Sequence, residues 1–184
     1  MAEDFDLGDL FYDLLKQVWH AEKKFHASLP KLAKAAESHA LRAAFKRHEI
    51  ETERQMSRLG TIFTLINRPA KDEATLVVGA LVDECLEALS KYKNSNSLDA
   101  ALIARAQAIE HFEIAAYGTA RTYAGILKLT TIASMLQETL DEEGKTNKLL
   151  NKIAMHSVNP EAADATRPGK VLREAVVSVL ETSH

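Results

Sequence analysis

At 184 residues, with 46% hydrophobic and only 6% aromatic content, the chain has the size and make-up of one domain with an Ala/Leu-rich helical core. A formal net charge of −3 without a basic block argues against wrapping nucleic acid, and the single cysteine, Cys85, excludes an intrachain disulfide or a zinc–thiolate cage. The acidic start Ala2-Glu3-Asp4-Phe5-Asp6 has neither a basic n-region nor a long apolar run, so no signal peptide or membrane span is expected, and a reducing cytoplasm is the expected compartment.

Taken in chain order, the pattern predicts helices throughout and no strand. A first helix runs from about Leu7, with Asp6 as N-cap, toward Ala36, with Pro30 expected to kink it. Ser38 caps a second helix that continues to about Asn67. After the loop Arg68-Pro69-Ala70-Lys71, Asp72 can cap a shorter, more apolar helix through Leu89. Lys93-Asn94-Ser95-Asn96-Ser97 breaks the chain again, and Ser97 caps the helix that carries Gln107 to Tyr123. A tight link near Leu129-Thr130 leads to a last bundle helix ending near Met155. Residues 1–156 are thus read as the bundle. Residues 157–184 are read as a linker, Ser157 to Gly169, and a short amphipathic helix built on Val171, Leu172, Val176, Val177 and Leu180.

Each long helix breaks its own apolar stripe with a glutamate. Glu22 falls among Phe11, Leu15, Val18, Phe25 and Leu29, and Glu51 among Leu41, Phe45, His48, Thr52, Gln55 and Leu59. Leu102, Ala106, Ile109 and Ala116 surround Glu113, and Ile132, Leu136, Leu150 and Ile153 surround Glu143. Glu22 and Glu51 flank the turn near Ser38, and Glu113 and Glu143 the turn near Leu129. At 1.5 Å per residue, each pair sits roughly 22 Å from its hairpin end, near mid-bundle. Two antiparallel helix pairs joined by one long crossover is the ferritin-like four-helix arrangement, an all-α fold.

Unpartnered buried carboxylates cost several kcal/mol each, so four at one level imply cations between them. The spacing offers Glu22, then His48-x-x-Glu51, Glu110-x-x-Glu113, and Glu142-Glu143 with Thr146 one turn on. Residues three apart share a helix face, so each pair can converge on one centre. The metal candidates are Glu22, His48, Glu51, Glu110, Glu113 and Glu143. Gln55, one turn after Glu51, is a weak ligand or a hydrogen-bonder to one. The competing reading is a buried salt-bridge network using Arg54, Arg105 or Lys145. Glu110 lies at the edge of its stripe, His48 is either a ligand or a hydrogen-bonded core histidine, and Trp19 and Tyr117 either relay an electron, shield the site or simply pack.

These segments also resemble the YciE/YciF family of bacterial ferritin-like stress proteins. The resemblance rests on Ala21-Glu22-Lys23, Leu29-Pro30-Lys31-Leu32, His48 with Glu51-Thr52 and Gln55, Ala100 to Ile103, Glu110 to Gly118, and Thr139 to Glu143 with Thr146. It covers roughly residues 7 to 155, and the stretch from Glu110 to Gly118 is its most specific part. The resemblance implies a ferritin-like bundle with a crossover helix, a di-metal site, a homodimer and a role in stress response. The Glu110/Glu113 pair also looks like the doubled carboxylate of rubrerythrin-type sites, an analogy that favours peroxide chemistry over iron storage.

Three functions compete. The leading one is a di-metal redox protein that meets peroxide or dioxygen at the bundle centre. It would hold two metal ions per chain, iron foremost with manganese or zinc as alternatives. With no Cys-x-x-Cys electron port, its reductant would be a separate protein. The second is a metal-stabilised structural or partner-binding module without turnover. The third, an iron-storing or DNA-coating mini-ferritin, is disfavoured by the lack of a basic tail.

Overall fold

Polar side chains cap three of the five long helices among the described residues. The computed structural model describes residues 5–164, and the five long helices within them are α1 (Leu7–Ala35), α2 (His39–Leu65), α3 (Leu76–Lys91), α4 (Leu98–Ile126) and α5 (Thr130–Ile153). Asp6 and Asp9 form a reciprocal capping box at α1: Asp9 N–H donates to Asp6 Oδ1 at 3.0 Å and Asp6 N–H to Asp9 Oδ2 at 3.3 Å. Ser38 caps α2 by accepting from Leu41 N–H. The α2 end closes through Asn67, a left-handed residue (φ 53°) that lets Arg68 N–H reach Phe63 O. α1 runs through Pro30 as one helix.

Three boundaries differ from the sequence reading. Thr75, not Asp72, caps α3; the Asp72 carboxylate is instead drawn to α1, 2.6 Å from both His20 Nδ1 and Lys23 Nζ. Ser97 holds the N-cap position of α4 without a side-chain bond, because its own backbone is already helical (φ −91°, ψ −1°). The helix also does not stop near Met155. A π-turn (η1, Ala154–Val158) leads into α6 (Asn159–Asp164), and Val158 is buried in the core. Pro160 comes just after this π-turn, in which Asn159 N–H reaches back to Ala154 O. The expected C-terminal helix at Val171 to Leu180 lies outside the described residues.

Two antiparallel hairpins, α1–α2 and α4–α5, make the bundle; α1 packs on α4 and α2 on α5, while α3 crosses over against α1 and α4. The fold is therefore the ferritin-like four-helix bundle with a crossover helix. Its apolar core is split in two. One half gathers Phe25, Leu29, Leu41, Phe45, Leu102 and Leu150, the other Phe11, Leu15, Leu59, Phe63, Leu136 and Tyr117. Between the halves the buried residues are polar. No helix among the described residues is long and apolar enough to cross a membrane.

Candidate metal centre

The polar layer draws one or two side chains from each bundle helix. α1 contributes Glu22, α2 contributes His48 and Glu51, α4 contributes Glu110 and Glu113, and α5 contributes Glu143. His48, Glu110, Glu113 and Glu143 converge: one ligand atom from each lies within 4.8 Å of all the others, and all four residues are buried. His48 Nε2 stands 3.2 Å from Glu110 Oε1 and 3.9 Å from Glu143 Oε2.

Glu22 and Glu51 flank this core. Glu22 is buried and accepts a short hydrogen bond from the Tyr117 hydroxyl. Glu51 is half-buried, 3.7 Å from His48 Nδ1, and Thr146 Oγ1 donates to it at 3.4 Å. Glu51 is thus the candidate that reaches solvent. Glu110, placed at the edge of its stripe by the sequence, is fully buried, with His48 of α2 and Glu143 of α5 closing over it.

Charge decides what the layer can do. Six carboxylate oxygens, both from each of Glu110, Glu113 and Glu143, are buried without a hydrogen-bond partner, as is His48 Nε2. The 3.2 Å approach of His48 to Glu110 is ion-pair proximity without hydrogen-bond alignment. Each buried unsatisfied group costs about 1–3 kcal/mol. Burial pushes the Glu113 and Glu143 carboxyls well above the usual carboxylate range, with Glu22 next for Glu113 and Glu110 next for Glu143. Burial also lifts Glu22, the Tyr117 hydrogen bond pulls it back, and the balance lies at about 7. Burial lowers His48, but Glu110 and the neighbouring carboxylates outweigh it and carry the imidazole to about 10. The neighbouring His48 imidazole, 3.7 Å away, holds Glu51 below the ordinary range.

The salt-bridge alternative fails on geometry. Arg105 pairs with Glu84 at the surface, 2.6 Å away, and Arg54 and Lys145 are exposed. Among the described residues, the basic member of the cluster is His48 alone, against three carboxylates. A hard divalent cation fits this donor set of carboxylate oxygens plus one imidazole nitrogen. It supplies the missing charge and occupies the orphan lone pairs.

Around the centre lie Glu142, Gln55, Trp19 and Tyr117, which the sequence singled out, and Arg58, which it did not. Arg58 forks onto Glu142, with Nη1 3.0 Å from Oε2 and Nη2 3.3 Å from Oε1, and reaches Glu138 at 2.7 Å. Glu142 therefore faces the α2–α5 groove rather than the cluster. Gln55 Nε2 donates to the same Glu142 Oε2 at 3.2 Å. Trp19 packs edge-on against Phe63 in the apolar half of the core. Tyr117 one turn after Glu113 was the available clue to its contact with Glu22. Nothing in the spacing marked Arg58.

A family model described as "Domain of unknown function (DUF892)" matches residues 6–163. The chain belongs to the DUF892 family. Within DUF892, Protein YciF of Escherichia coli K12 is 37% identical over 157 residues, which cover 85% of this chain and 95% of YciF. The crystal structure of that E. coli protein, described as a stress protein, superposes with a TM-score of 0.80 at 36% identity, covering 84% of this chain and 98% of the other. YcfI of Rhodopseudomonas palustris, provisionally assigned a structural role, superposes at 0.79 with 31% identity, covering 84% and 99%. The resemblance read from Glu22, His48-x-x-Glu51 and the Glu110 to Gly118 stretch is thereby shown, and with it a likeness to YciF across nearly all of the described residues.

Proposed function

We propose that the buried centre is a di-metal carboxylate site, iron foremost, that carries out redox chemistry with peroxide or dioxygen as part of a stress response. The observation that carries the reading is the set of six orphaned carboxylate oxygens beside His48 Nε2. His48, Glu51, Glu110 and Glu143 would hold one ion, and Glu22 and Glu113 would complete a second position. Iron, if bound there, would supply electron transfer to an oxygen species. The chain's own part is to exclude bulk water with the two flanking apolar clusters and to keep a proton on Tyr117 beside Glu22. Half-buried Glu51 gives the centre a polar edge toward solvent. The stress role is supported by the description of E. coli YciF as a stress protein. A reductant would come from another protein, since the chain has one cysteine, and that one is buried.

A structural reading has its own support in the role assigned to YcfI: the ions would hold the bundle together without turnover. Anaerobic Fe(II) loading followed by elemental analysis and a peroxide-consumption assay separates the two. About two ions per chain with sustained peroxide loss supports the redox reading. Two ions that raise the melting temperature without peroxide loss favour the structural one. Failure to load metal at all, in wild type as in Glu51→Ala and Glu113→Ala, defeats both.

A further inference from the structure

One buried polar atom of α2 has no role in the assignments above. Gln55 is fully buried; its Nε2 donates to Glu142 Oε2 at 3.2 Å, and its Oε1 has no partner. An ionised carboxylate only accepts, so the amide nitrogen must be the end turned toward Glu142 and the carbonyl oxygen the end turned inward. Glu142 cannot easily swing away, because the Arg58 guanidinium grips both its oxygens and is itself tied to Glu138 and Thr139. The amide is therefore held in one orientation from outside the centre.

Gln55 lies one turn beyond Glu51 and two turns beyond His48 on the buried face of α2. That places it at the end of the polar layer away from His48. At this end Glu22 enters from α1, held by the Tyr117 hydroxyl; Tyr117 shares its apolar half with Leu59, one turn beyond Gln55, and Glu113 stands one turn before Tyr117 on α4. Glu22 and Glu113 alone supply few ligand oxygens for an octahedral ion. A neutral, hard, pre-oriented carbonyl oxygen beside them is the kind of donor that such a position lacks.

Resting on the metal reading above, we propose that Gln55 Oε1 is a ligand of the second divalent ion, at Glu22 and Glu113, and that Glu142 and Arg58 are positioning residues that aim it there. The two metal positions are then chemically unlike. One has an imidazole nitrogen among carboxylates, the other a neutral amide oxygen in its place. They fill in two steps, with the position at His48 first.

Co(II) titration of the full chain, followed by calorimetry and visible absorption, tests this. Wild type is expected to take up two ions in resolved steps. Gln55→Leu should lose the second step or weaken it about tenfold or more, leaving the first within twofold. Glu142→Gln should weaken the second step alone, because an amide at 142 can pair with either end of Gln55 and no longer enforces its orientation. Gln55→Glu, which restores an oxygen donor, should keep both steps and tighten the second. If Gln55→Leu does not fold, Gln55→Glu decides alone, and an unchanged second step overturns the inference. A Gln55→Leu variant with wild-type uptake, or equal loss of both steps, also overturns it, as does a wild type with only one step. Those results leave the parent metal reading standing, whereas a wild type that binds no Co(II) removes both.

Discussion

His48 and Glu110 approach to 3.2 Å across the α2–α4 diagonal of the bundle, yet their atoms are not aligned as a hydrogen bond. Two such groups buried together in a salt bridge would turn toward each other and satisfy their remaining lone pairs. Here both face a common point that Glu113 and Glu143 also face. The arrangement is strained by charge as it stands and relaxed by a cation.

Replacing one carboxylate with an apolar residue of similar volume should therefore stabilise the metal-free protein while abolishing its metal content. For Glu113→Leu the expected gain in the apo state is about 1–3 kcal/mol, the cost of one buried unsatisfied group. Urea denaturation in chelator at pH 8, paired with elemental analysis, checks both halves. A variant less stable than wild-type apo protein would mean that Glu113 has a protein partner after all.

Above pH 5 the pH dependence of apo stability follows from raised groups, the lowered Glu51 acting only at more acid pH. Glu22 is lifted from 4.5 to about 7, Glu113 and Glu143 are lifted by burial, and His48 is lifted from 6.5 to about 10. A group that binds its proton more tightly when folded stabilises fully below its unfolded pKa and loses that contribution as pH rises through its folded pKa. Chelated protein should thus melt at progressively lower temperature from pH 5 to pH 9. Metal-loaded protein should show the opposite trend over the same range, because its ligands must shed protons to bind. Apo melting temperatures that stay flat or climb across that window would contradict the assignment of buried, proton-holding carboxylates.

Much of this was legible in the chain because helical periodicity makes an apolar stripe, and a charge inside the stripe stands out. Glu22, Glu113 and Glu143 were found that way, and each is at most 1% exposed. Glu110 was named a candidate but set at the edge of its stripe, because a single helix's stripe does not show how tightly neighbours enclose its flank. Arg58 escaped notice, and Glu142 was grouped with Glu143 on the metal side, for the converse reason: only the docking of α2 on α5 brings Arg58 and Glu142 together. Asp72 illustrates the limit of local capping rules, since His20 and Lys23 on α1 draw its carboxylate away from the helix start it was expected to cap.

Asp99 is a second residue whose role appears only in three dimensions. Its carboxylate accepts from Glu37 N–H at 2.9 Å and Ser38 N–H at 2.6 Å, tying the first turn of α4 to the α1–α2 turn. The site is 7% exposed, so solvent replaces these bonds poorly. Asp99→Ala should cost about 2–3 kcal/mol through loss of charge-assisted hydrogen bonds and should leave metal stoichiometry unchanged. Chemical denaturation and elemental analysis of the same preparation test the pair of outcomes; loss of metal would show that this turn and the centre are coupled.

Tyr117 links the apolar half of the core to the charged layer, and its hydroxyl can be removed without disturbing its ring. The phenol donates to Glu22 and opposes the rise that burial imposes on that carboxyl. Tyr117→Phe should therefore lift Glu22 further, so that more of it is protonated near pH 7.5 and must lose a proton when metal binds. More protons released per ion is the expected readout, obtained from binding enthalpies in two buffers of different ionisation heat. Affinity should fall a few-fold at that pH and recover at pH 9, and apo stability should drop by about 1 kcal/mol. If Tyr117 served only as packing, the phenylalanine ring would replace it and neither proton release nor affinity would move.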